Sequence, residues 1–257
     1  MTAPYTLAVA CHKGGCARTT TVAALAYVLA HEHGLRVGLN DSVPMPALEL
    51  LAPRGAWAGV EYVPDPSTPP TGLDLLLVDA PPLTERAAQR TLERCDGVLV
   101  TLAVDPLALR TVGRCAEALQ AARARADLDL LGLLPTLYDP DDPLQEAILG
   151  RLRAAFSELI LEPPVAFDRQ LAAWALKPGS ELPQGPARSG YEDLARRVAR
   201  FVRLRPSEQD RLRAQVVPPT RRYETQPRPT HESESGRLRG LLNVMRKISG
   251  RFARVKE

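Results

Sequence analysis

The sequence predicts a doubly wound α/β fold built on a mostly parallel sheet. Short apolar runs alternate with segments of helical periodicity through residues 1–203, a pattern typical of βαβ units. Several of these runs are continuously apolar, as expected for strands that are buried on both faces of a parallel sheet. The chain has 257 residues, of which 45% are hydrophobic, so it contains enough apolar material for a large core.

Five strands are expected, each from its own apolar run. The first, residues 5–10, ends at a loop that contains glycine, and the second is the short run 36–39. The remaining three read LDLLLV, GVLVTLA and LDLLGLL, at residues 73–78, 97–103 and 128–134. Because strands joined through helices run parallel with right-handed crossovers, the five runs predict one sheet.

Five helices are expected between and after these strands. They are predicted at residues 19–33, 84–94, 106–125, 144–159 and 191–202. Their helical periodicity predicts an apolar face for packing on the sheet. Gly34, directly after the first helix, is a typical signal for the C-terminal end of a helix.

The composition excludes several classes of protein. No uninterrupted apolar stretch reaches the roughly 18 residues that a membrane-spanning helix needs. The N-terminus has no basic segment ahead of its short apolar run, so a signal peptide is not expected. Four cysteines, Cys11, Cys16, Cys95 and Cys115, show neither disulfide nor zinc spacing, which favours the reducing cytoplasm.

Charge divides the chain into an acidic body and a basic tail. Residues 1–203 carry 20 basic and 24 acidic side chains, whereas residues 204–257 carry 13 basic and 6 acidic ones. We therefore expect a domain at 1–203, a linker rich in Pro and Arg at 204–235, and a basic amphipathic helix at 236–257. A tail of this charge is suited to phosphate groups on nucleic acid or anionic lipid.

The loop between the first strand and the first helix has the position and composition of a phosphate-binding loop. Backbone N–H groups at the start of such a helix point at a bound anion. Lys13 stands out, because only four of the 33 basic residues are lysines and no other lysine occurs before Lys177. The nucleotide-binding residues expected in this loop are Lys13, Gly14, Gly15, Cys16, Ala17, Arg18, Thr19 and Thr20.

Two carboxylates are expected beside this loop. Asp41 follows the second strand and Asp79 follows the third. Both belong at the carboxyl edge of the sheet, where open α/β sheets bind ligands. An Asp at the end of a buried strand is where a P-loop NTPase holds its magnesium ion. Thr19, Asp41 and Asp79 are therefore the candidate Mg²⁺ ligands. Asp41 and Asp79 are also expected to contact the nucleotide.

These motifs resemble those of the ParA/MinD group of deviant Walker A ATPases, P-loop proteins that position chromosomes, plasmids and other cargo in bacteria. Residues 13–20 follow that group's Lys-Gly-Gly-x-Gly-Lys-Thr-Thr loop with two changes. Residues 41–44 follow its Asp-x-Asp-Pro motif with one change, and residues 79–82 match its Asp-x-Pro-Pro motif fully. The resemblance spans about residues 5–203.

The resemblance implies an ATP-binding partitioning or positioning protein that forms a homodimer. In such a dimer, Lys13 would reach the nucleotide phosphates of the partner subunit. The resemblance also implies non-specific DNA binding, a ParB-like or cargo adaptor protein as partner, and a cytoplasmic, nucleoid-associated location. The N-terminal DNA-binding helix-turn-helix of the larger plasmid proteins is not expected.

Three residues depart from the group's pattern, and each weighs against turnover. Ala17 replaces a glycine where the backbone approaches phosphate, and Arg18 replaces the lysine that bridges the phosphates. Val43 replaces the Asp that positions the attacking water, and an isopropyl group cannot accept a hydrogen bond. We therefore expect weak or absent ATPase activity. The same three departures also weigh against the binding of ATP and Mg²⁺.

Two alternative functions stay open. One is a pseudo-ATPase scaffold that binds no nucleotide, and the other is a MinD-like protein held at the membrane surface by its C-terminal helix. The apolar row of that helix also suits a groove on another protein. Its basic residues, which would contact DNA or membrane, include Arg237, Arg239, Arg246, Lys247, Arg251 and Arg254.

Overall fold

The structure, a computed structural model, describes residues 3–43 and 47–203. The linker predicted at 204–235, the basic helix predicted at 236–257 and the basic residues assigned to its surface lie outside the described residues. Among the helices of the described ranges, none is long and apolar enough to span a bilayer.

Six strands form one parallel sheet within the described residues. In chain order they are β1 (Tyr5–Cys11), β2 (Val37–Asp41), β3 (Val60–Tyr62), β4 (Leu75–Asp79), β5 (Gly97–Ala103) and β6 (Asp129–Thr136). Their order across the sheet is β3-β2-β4-β1-β5-β6, and every neighbouring pair is parallel. β1 lies inside the sheet, with further strands on both of its sides. Loops that can bind a ligand therefore meet at the carboxyl end of β1.

Seven helices accompany the sheet in the described ranges. They are α1 (Arg18–His31), α2 (Leu48–Leu51), α3 (Arg86–Leu92), α4 (Pro106–Arg123), α5 (Pro143–Phe156), α6 (Arg169–Trp174) and α7 (Arg188–Val202). Asp105 and Asp142 begin α4 and α5 by accepting hydrogen bonds from backbone N–H groups of the first turn. Gly34, with a φ of 64°, follows the end of α1 as expected.

The predicted doubly wound parallel sheet is confirmed. All five expected strands and all five expected helices are present, and their ends differ from the expected ones by up to three residues. Three short elements, β3, α2 and α6, have no expected counterpart. They contain three, four and six residues, which is too few to show a clear period in the sequence.

Two apolar layers cover the faces of the sheet. Leu7 and Val9 of β1 point into the layer that contains α1 and α7, whereas Ala8 and Ala10 point into the layer that contains α3, α4 and α5. Burial on both faces explains why the strand sequences are apolar throughout rather than alternating. α1 lies deep in its layer, because all of its residues from Thr21 to Leu29 are buried.

The two outer strands of the sheet differ in length and in covering. β3 has only three residues. β6 has eight, all of them buried, and the segment that follows α5 lies along its outer side. Two isolated parallel bridges, Leu133 to Ile160 and Tyr138 to Ala166, hold that segment in place. The backbone N–H of Leu133 donates to the carbonyl of Leu159 at 2.7 Å.

Candidate nucleotide-binding site

The predicted phosphate loop lies between β1 and α1, at the carboxyl edge of the sheet. Gly14 and Gly15 are exposed, and a Cβ added to either would meet nothing within 4 Å. Gly15 has a φ of 77°, a conformation that favours glycine. The backbone of the loop is therefore open to a ligand, as a site that cradles phosphate requires.

Ala17 carries the backbone strain of this loop. It precedes α1 with φ 53° and ψ 27°, in the left-handed region, and its carbonyl accepts the first hydrogen bond of the helix from Thr21 at 2.8 Å. A left-handed conformation costs a residue with a Cβ about 1 kcal/mol. Glycine, which the ParA/MinD group has at this position, would adopt it without that strain.

Replacing Ala17 with glycine is therefore expected to stabilise the protein by about 0.5 kcal/mol, because relief of strain exceeds the added entropy of the unfolded chain. Urea unfolding followed by circular dichroism measures the change. The control is Ala121→Gly, at an exposed position inside α4, which should cost about 1 kcal/mol. Equal destabilisation by the two substitutions would show that Ala17 is not strained.

Arg18 and Thr19, at the start of α1, both bind Asp79 at the end of β4. The guanidinium of Arg18 forms an ion pair with Asp79 through Nε, and its Nη2 lies 3.4 Å from Asp79 Oδ2. The hydroxyl of Thr19 donates to the same Oδ2 at 2.6 Å. The structure thus brings Thr19 and Asp79 together, and it adds Arg18, which was expected to contact phosphates instead. However, the cation at Asp79 is the guanidinium itself.

Asp79 is completely buried, with 0% of its surface exposed. Burial raises the pKa of its carboxyl, and the ion pair with Arg18 opposes that rise. The pKa of Arg18 is raised despite burial, since pairing with Asp79 outweighs the loss of water. A buried carboxylate is stable only with such a partner, so Arg18 favours the charged form of Asp79 against the effect of burial.

Asp41 lies beside Asp79, its register partner on the neighbouring strand. One carboxylate oxygen, Oδ2, accepts a hydrogen bond from the backbone N–H of Leu48 at 2.8 Å. The other, Oδ1, is buried and has no hydrogen-bond partner among the described residues. Burial raises the pKa of Asp41. A buried oxygen without a partner is costly, and a cation would satisfy it.

These oxygens fit a magnesium ion. Mg²⁺ binds through one or two carboxylates together with phosphate oxygens and waters, and Thr19, Asp41 and Asp79 supply a hydroxyl and two carboxylates at one sheet edge. No cluster of three or more His, Cys, Asp or Glu side chains suited to a metal occurs in the described parts of the chain. Phosphate oxygens would therefore have to complete the coordination.

Lys13 is held by a residue that the sequence did not predict. Its Nζ forms an ion pair with Asp105, whose other oxygen caps α4 by accepting from the N–H groups of Leu107 and Ala108 at 2.9 and 3.0 Å. This hydrogen bond to Asp105 raises the pKa of Lys13. The signal in the sequence was an Asp directly before Pro106, which marks a helix start at the carboxyl edge of the sheet.

The remaining predicted residues lie around this centre. Cys16 is buried beneath the loop, Thr20 is partly buried in the first turn of α1, and Val43 is partly buried just after β2. Val43 follows Asp41 by two residues, and its side chain is apolar. The structure thus brings the predicted loop and both carboxylates to one edge of the sheet.

The chain matches the sequence model of one protein family, described as the CobQ/CobB/MinD/ParA nucleotide binding domain, over residues 7–177. It is also similar to a curated protein, the chromosome-partitioning ATPase Soj of Thermus thermophilus. The two are 29% identical over 235 residues, which covers 75% of this chain and 94% of that protein.

Solved structures with the same fold include proteins with bound nucleotide. Cobyrinic acid a,c-diamide synthase of Mycobacterium smegmatis, with ADP and magnesium, is 24% identical with a TM-score of 0.62, covering 77% of this chain and 95% of that one. The ATP complex of an McdA variant from Cyanothece is 17% identical with a TM-score of 0.61, covering the same shares.

The MinC:MinD cell division protein complex of Aquifex aeolicus contains a chain with this fold too. That chain is 15% identical to this one with a TM-score of 0.61, covering 76% of this chain and 95% of that one. At these identities the solved structures establish the fold. The family model matches well over half of the chain and establishes its family. This chain is a member of the CobQ/CobB/MinD/ParA nucleotide-binding family.

Proposed function

We propose that the protein is a ParA-like partitioning or positioning protein that binds ATP and hydrolyses it weakly or not at all. The observation that carries the proposal is the convergence of Arg18 and Thr19 on the buried carboxylate of Asp79. A phosphate loop joined to the strand-end carboxylate is the machinery of nucleotide binding. Similarity to a chromosome-partitioning ATPase supports the cellular role.

Nucleotide binding in this proposal requires Arg18 to change partners. Its guanidinium neutralises Asp79 in the structure. The phosphates of ATP would attract it away, since a guanidinium binds phosphate oxygens strongly. Thr19, Asp41 and Asp79 would then hold Mg²⁺, which neutralises phosphate charge when bound. Arg18 thus acts as an internal cation that occupies the site until nucleotide arrives.

Slow hydrolysis follows from the residue after β2. Phosphoryl transfer depends mostly on positioning and on charge stabilisation. The side chain of Val43 has no atom that accepts a hydrogen bond from an attacking water. We infer that the bound nucleotide persists and that its release or turnover depends on a partner, such as a ParB-like or cargo adaptor protein.

Lys13 is proposed to join two subunits in a homodimer. It is partly exposed, and its ion pair with Asp105 is open to solvent on both sides, with about a third of each side chain accessible. Exposed ion pairs contribute at most about 1 kcal/mol. Lys13 can therefore leave Asp105 at low cost and contact nucleotide phosphates of the partner subunit.

Gly14→Val tests nucleotide binding without disturbing the fold. A Cβ at Gly14 meets nothing within 4 Å, so stability should change by less than about 0.5 kcal/mol. A ligand cradled by the loop would collide with the new side chain, and we expect the affinity for Mg-ATP to fall more than about 10-fold. Titration calorimetry and thermal unfolding give the two readings.

The control for this test is Gly150→Val, in α5, where a Cβ also meets nothing within 4 Å. It should leave Mg-ATP affinity unchanged. If wild type and both variants bind Mg-ATP equally, the loop is not the nucleotide site. If wild type shows no binding at all, the second candidate function takes its place.

That second candidate is a scaffold that binds no nucleotide, and one observation favours it. The ion pair of Arg18 with Asp79 satisfies the site internally, so ligand is not needed to neutralise the carboxylate. Such a protein would act through its surfaces and its basic tail. Its dimer state and partner binding would then be identical with and without Mg-ATP.

The basic residues of the tail would bind phosphate groups either on DNA or on a membrane surface. Residues 204–257 carry the excess of basic side chains, whereas the body is acidic, so we propose that non-specific DNA binding depends on the tail. Full-length protein with Arg246→Glu and Lys247→Glu should lose salt-sensitive DNA binding. Loss of binding to anionic liposomes instead would favour the MinD-like alternative.

A further inference from the structure

Two of the four buried cysteines lie together at the phosphate loop. Cys11 ends β1 and Cys16 follows Gly15, and both are free thiols with 1% and 3% of their surface exposed. Together with Ala103 they form a small apolar cluster of their own. The two cysteines are therefore neighbours in the fold, although four residues lie between them in the chain.

The surroundings of the pair act on the pKa values of the two thiols in opposite directions. The neighbouring thiol of Cys11 and backbone groups at Ala103 and Lys13 lower the pKa of Cys16, against the effect of burial. The neighbouring thiol of Cys16 and burial raise the pKa of Cys11. Arg18 Nη1 lies 3.7 Å from the sulfur of Cys11.

We propose that Cys11 and Cys16 are a redox pair that closes to a disulfide across the phosphate loop. Gly14 and Gly15 lie between them, are exposed and have free space around their Cα atoms. This part of the loop can therefore adjust its backbone when the sulfur atoms approach to bonding distance. Cys95 has a different partner, since it donates its thiol proton to the carbonyl of Thr91 at 3.2 Å.

A hydroperoxide supplies the oxidising equivalents. The thiolate of Cys16 attacks one peroxide oxygen, the O–O bond breaks, and the released hydroxide takes a proton to become water, which leaves Cys16 as a sulfenic acid. The sulfur of Cys11 then attacks the sulfur of Cys16. The S–S bond forms, the S–O bond breaks, and the departing hydroxide leaves as water with the proton of Cys11. Two thiols are oxidised and one hydrogen peroxide is reduced to two waters.

The disulfide would change the loop that is proposed to bind phosphate. It ties the end of β1 to the residue before Ala17 and removes the sulfur contact of Arg18. An effect on Mg-ATP binding follows only if the proposed function holds, whereas formation of the disulfide does not depend on it. Reversal requires a thiol reductant, which exchanges with the disulfide.

A tryptic map of the full-length protein reads the pairing directly. Cleavage after Lys13 and Arg18 separates peptide 1–13, with Cys11, from peptide 14–18, with Cys16, and Cys95 and Cys115 lie in two further peptides. After treatment of the native protein with hydrogen peroxide and alkylation of free thiols, we expect a linked 1–13/14–18 species. It should account for most of both cysteines and disappear on reduction.

Two control samples and one binding measurement accompany the peptide map. Cys16→Ser should lose the linked species and keep Cys11 fully alkylated. Denatured protein treated in the same way should lose the preference for this pair. Peroxide should lower Mg-ATP binding several-fold in wild type, and this effect of peroxide should be absent when Cys16→Ser is compared with its own untreated form.

The disulfide proposal and the nucleotide proposal fail separately. A link from Cys16 to Cys115, oxidation of Cys16 to sulfinic acid without a link, or full alkylation of both thiols after peroxide would each overturn the redox pair. Absence of Mg-ATP binding by the reduced wild type would instead overturn the proposed function and leave the peptide map to decide the pairing.

Discussion

Replacing Arg18 with methionine is expected to cost about 3 kcal/mol of folding free energy at neutral pH. Asp79 has no exposed surface, and Arg18 neutralises it through an ion pair and a second contact at 3.4 Å. Methionine keeps much of the length of the side chain and removes the charge. One hydrogen bond, from the hydroxyl of Thr19, then remains for a buried carboxylate.

The loss should depend on pH in a defined direction. Burial already raises the pKa of Asp79, and removal of Arg18 raises it further. A carboxyl group whose pKa is higher in the folded than in the unfolded state favours folding when it is protonated, and this contribution disappears as pH rises through the folded pKa. The gap between variant and wild type should therefore shrink from about pH 8 to about pH 5.

Urea unfolding of both proteins at several pH values measures this gap. The control is Arg54→Met, which removes an exposed ion pair with Glu49 and should cost less than about 1 kcal/mol at every pH. A cost for Arg18→Met as small as that control would contradict the role of Arg18 as the internal cation. Millimolar Mg²⁺ should stabilise the Arg18 variant more than wild type, because Asp79 and Asp41 then lack a competing guanidinium.

The second large effect is expected at Val43. In a protein that already carries Ala17→Gly and Arg18→Lys, adding Val43→Asp should raise the rate of phosphate release from ATP roughly 100-fold. The carboxylate would supply the acceptor for the attacking water that the isopropyl group lacks. Restoring the loop first ensures that nucleotide is bound, so the rate reports the water-positioning step.

Single-turnover phosphate release with saturating Mg-ATP is the appropriate measurement. Val43→Leu in the same background is the matched control, because it changes size without adding an acceptor, and it should leave the rate unchanged. Equal rates for the Asp and Leu variants, with nucleotide bound in both, would place the cause of slow hydrolysis elsewhere in the site.

The sheet was predictable from the sequence because strands that are buried on both faces have continuously apolar sequences. The runs at β4 and β5 are apolar at every position that enters the two layers. The loop and the carboxylates of Asp41 and Asp79 were also predictable, since the position of a residue after a buried strand fixes its place at the sheet edge. Their pairing in register confirms that reasoning.

Other parts of the site required the structure. Arg18 was expected to point toward phosphates, and its pairing with Asp79 depends on how deeply that carboxylate is buried. The pairing of Lys13 with Asp105 joins residues 92 positions apart, and no local pattern predicts such a contact. The neighbouring thiols of Cys11 and Cys16 depend on the fold of the loop, which sequence spacing does not specify.

The way the outer strands are covered limits how this domain associates with other chains. A long uncovered strand is a template on which a second chain can add its own strand and continue the sheet. β3 offers three residues for such addition, and the segment that contains Ile160 pairs with the outer side of β6 at Leu133. The described sheet therefore offers a second chain at most a short strand to pair with, which disfavours association by extension of the sheet.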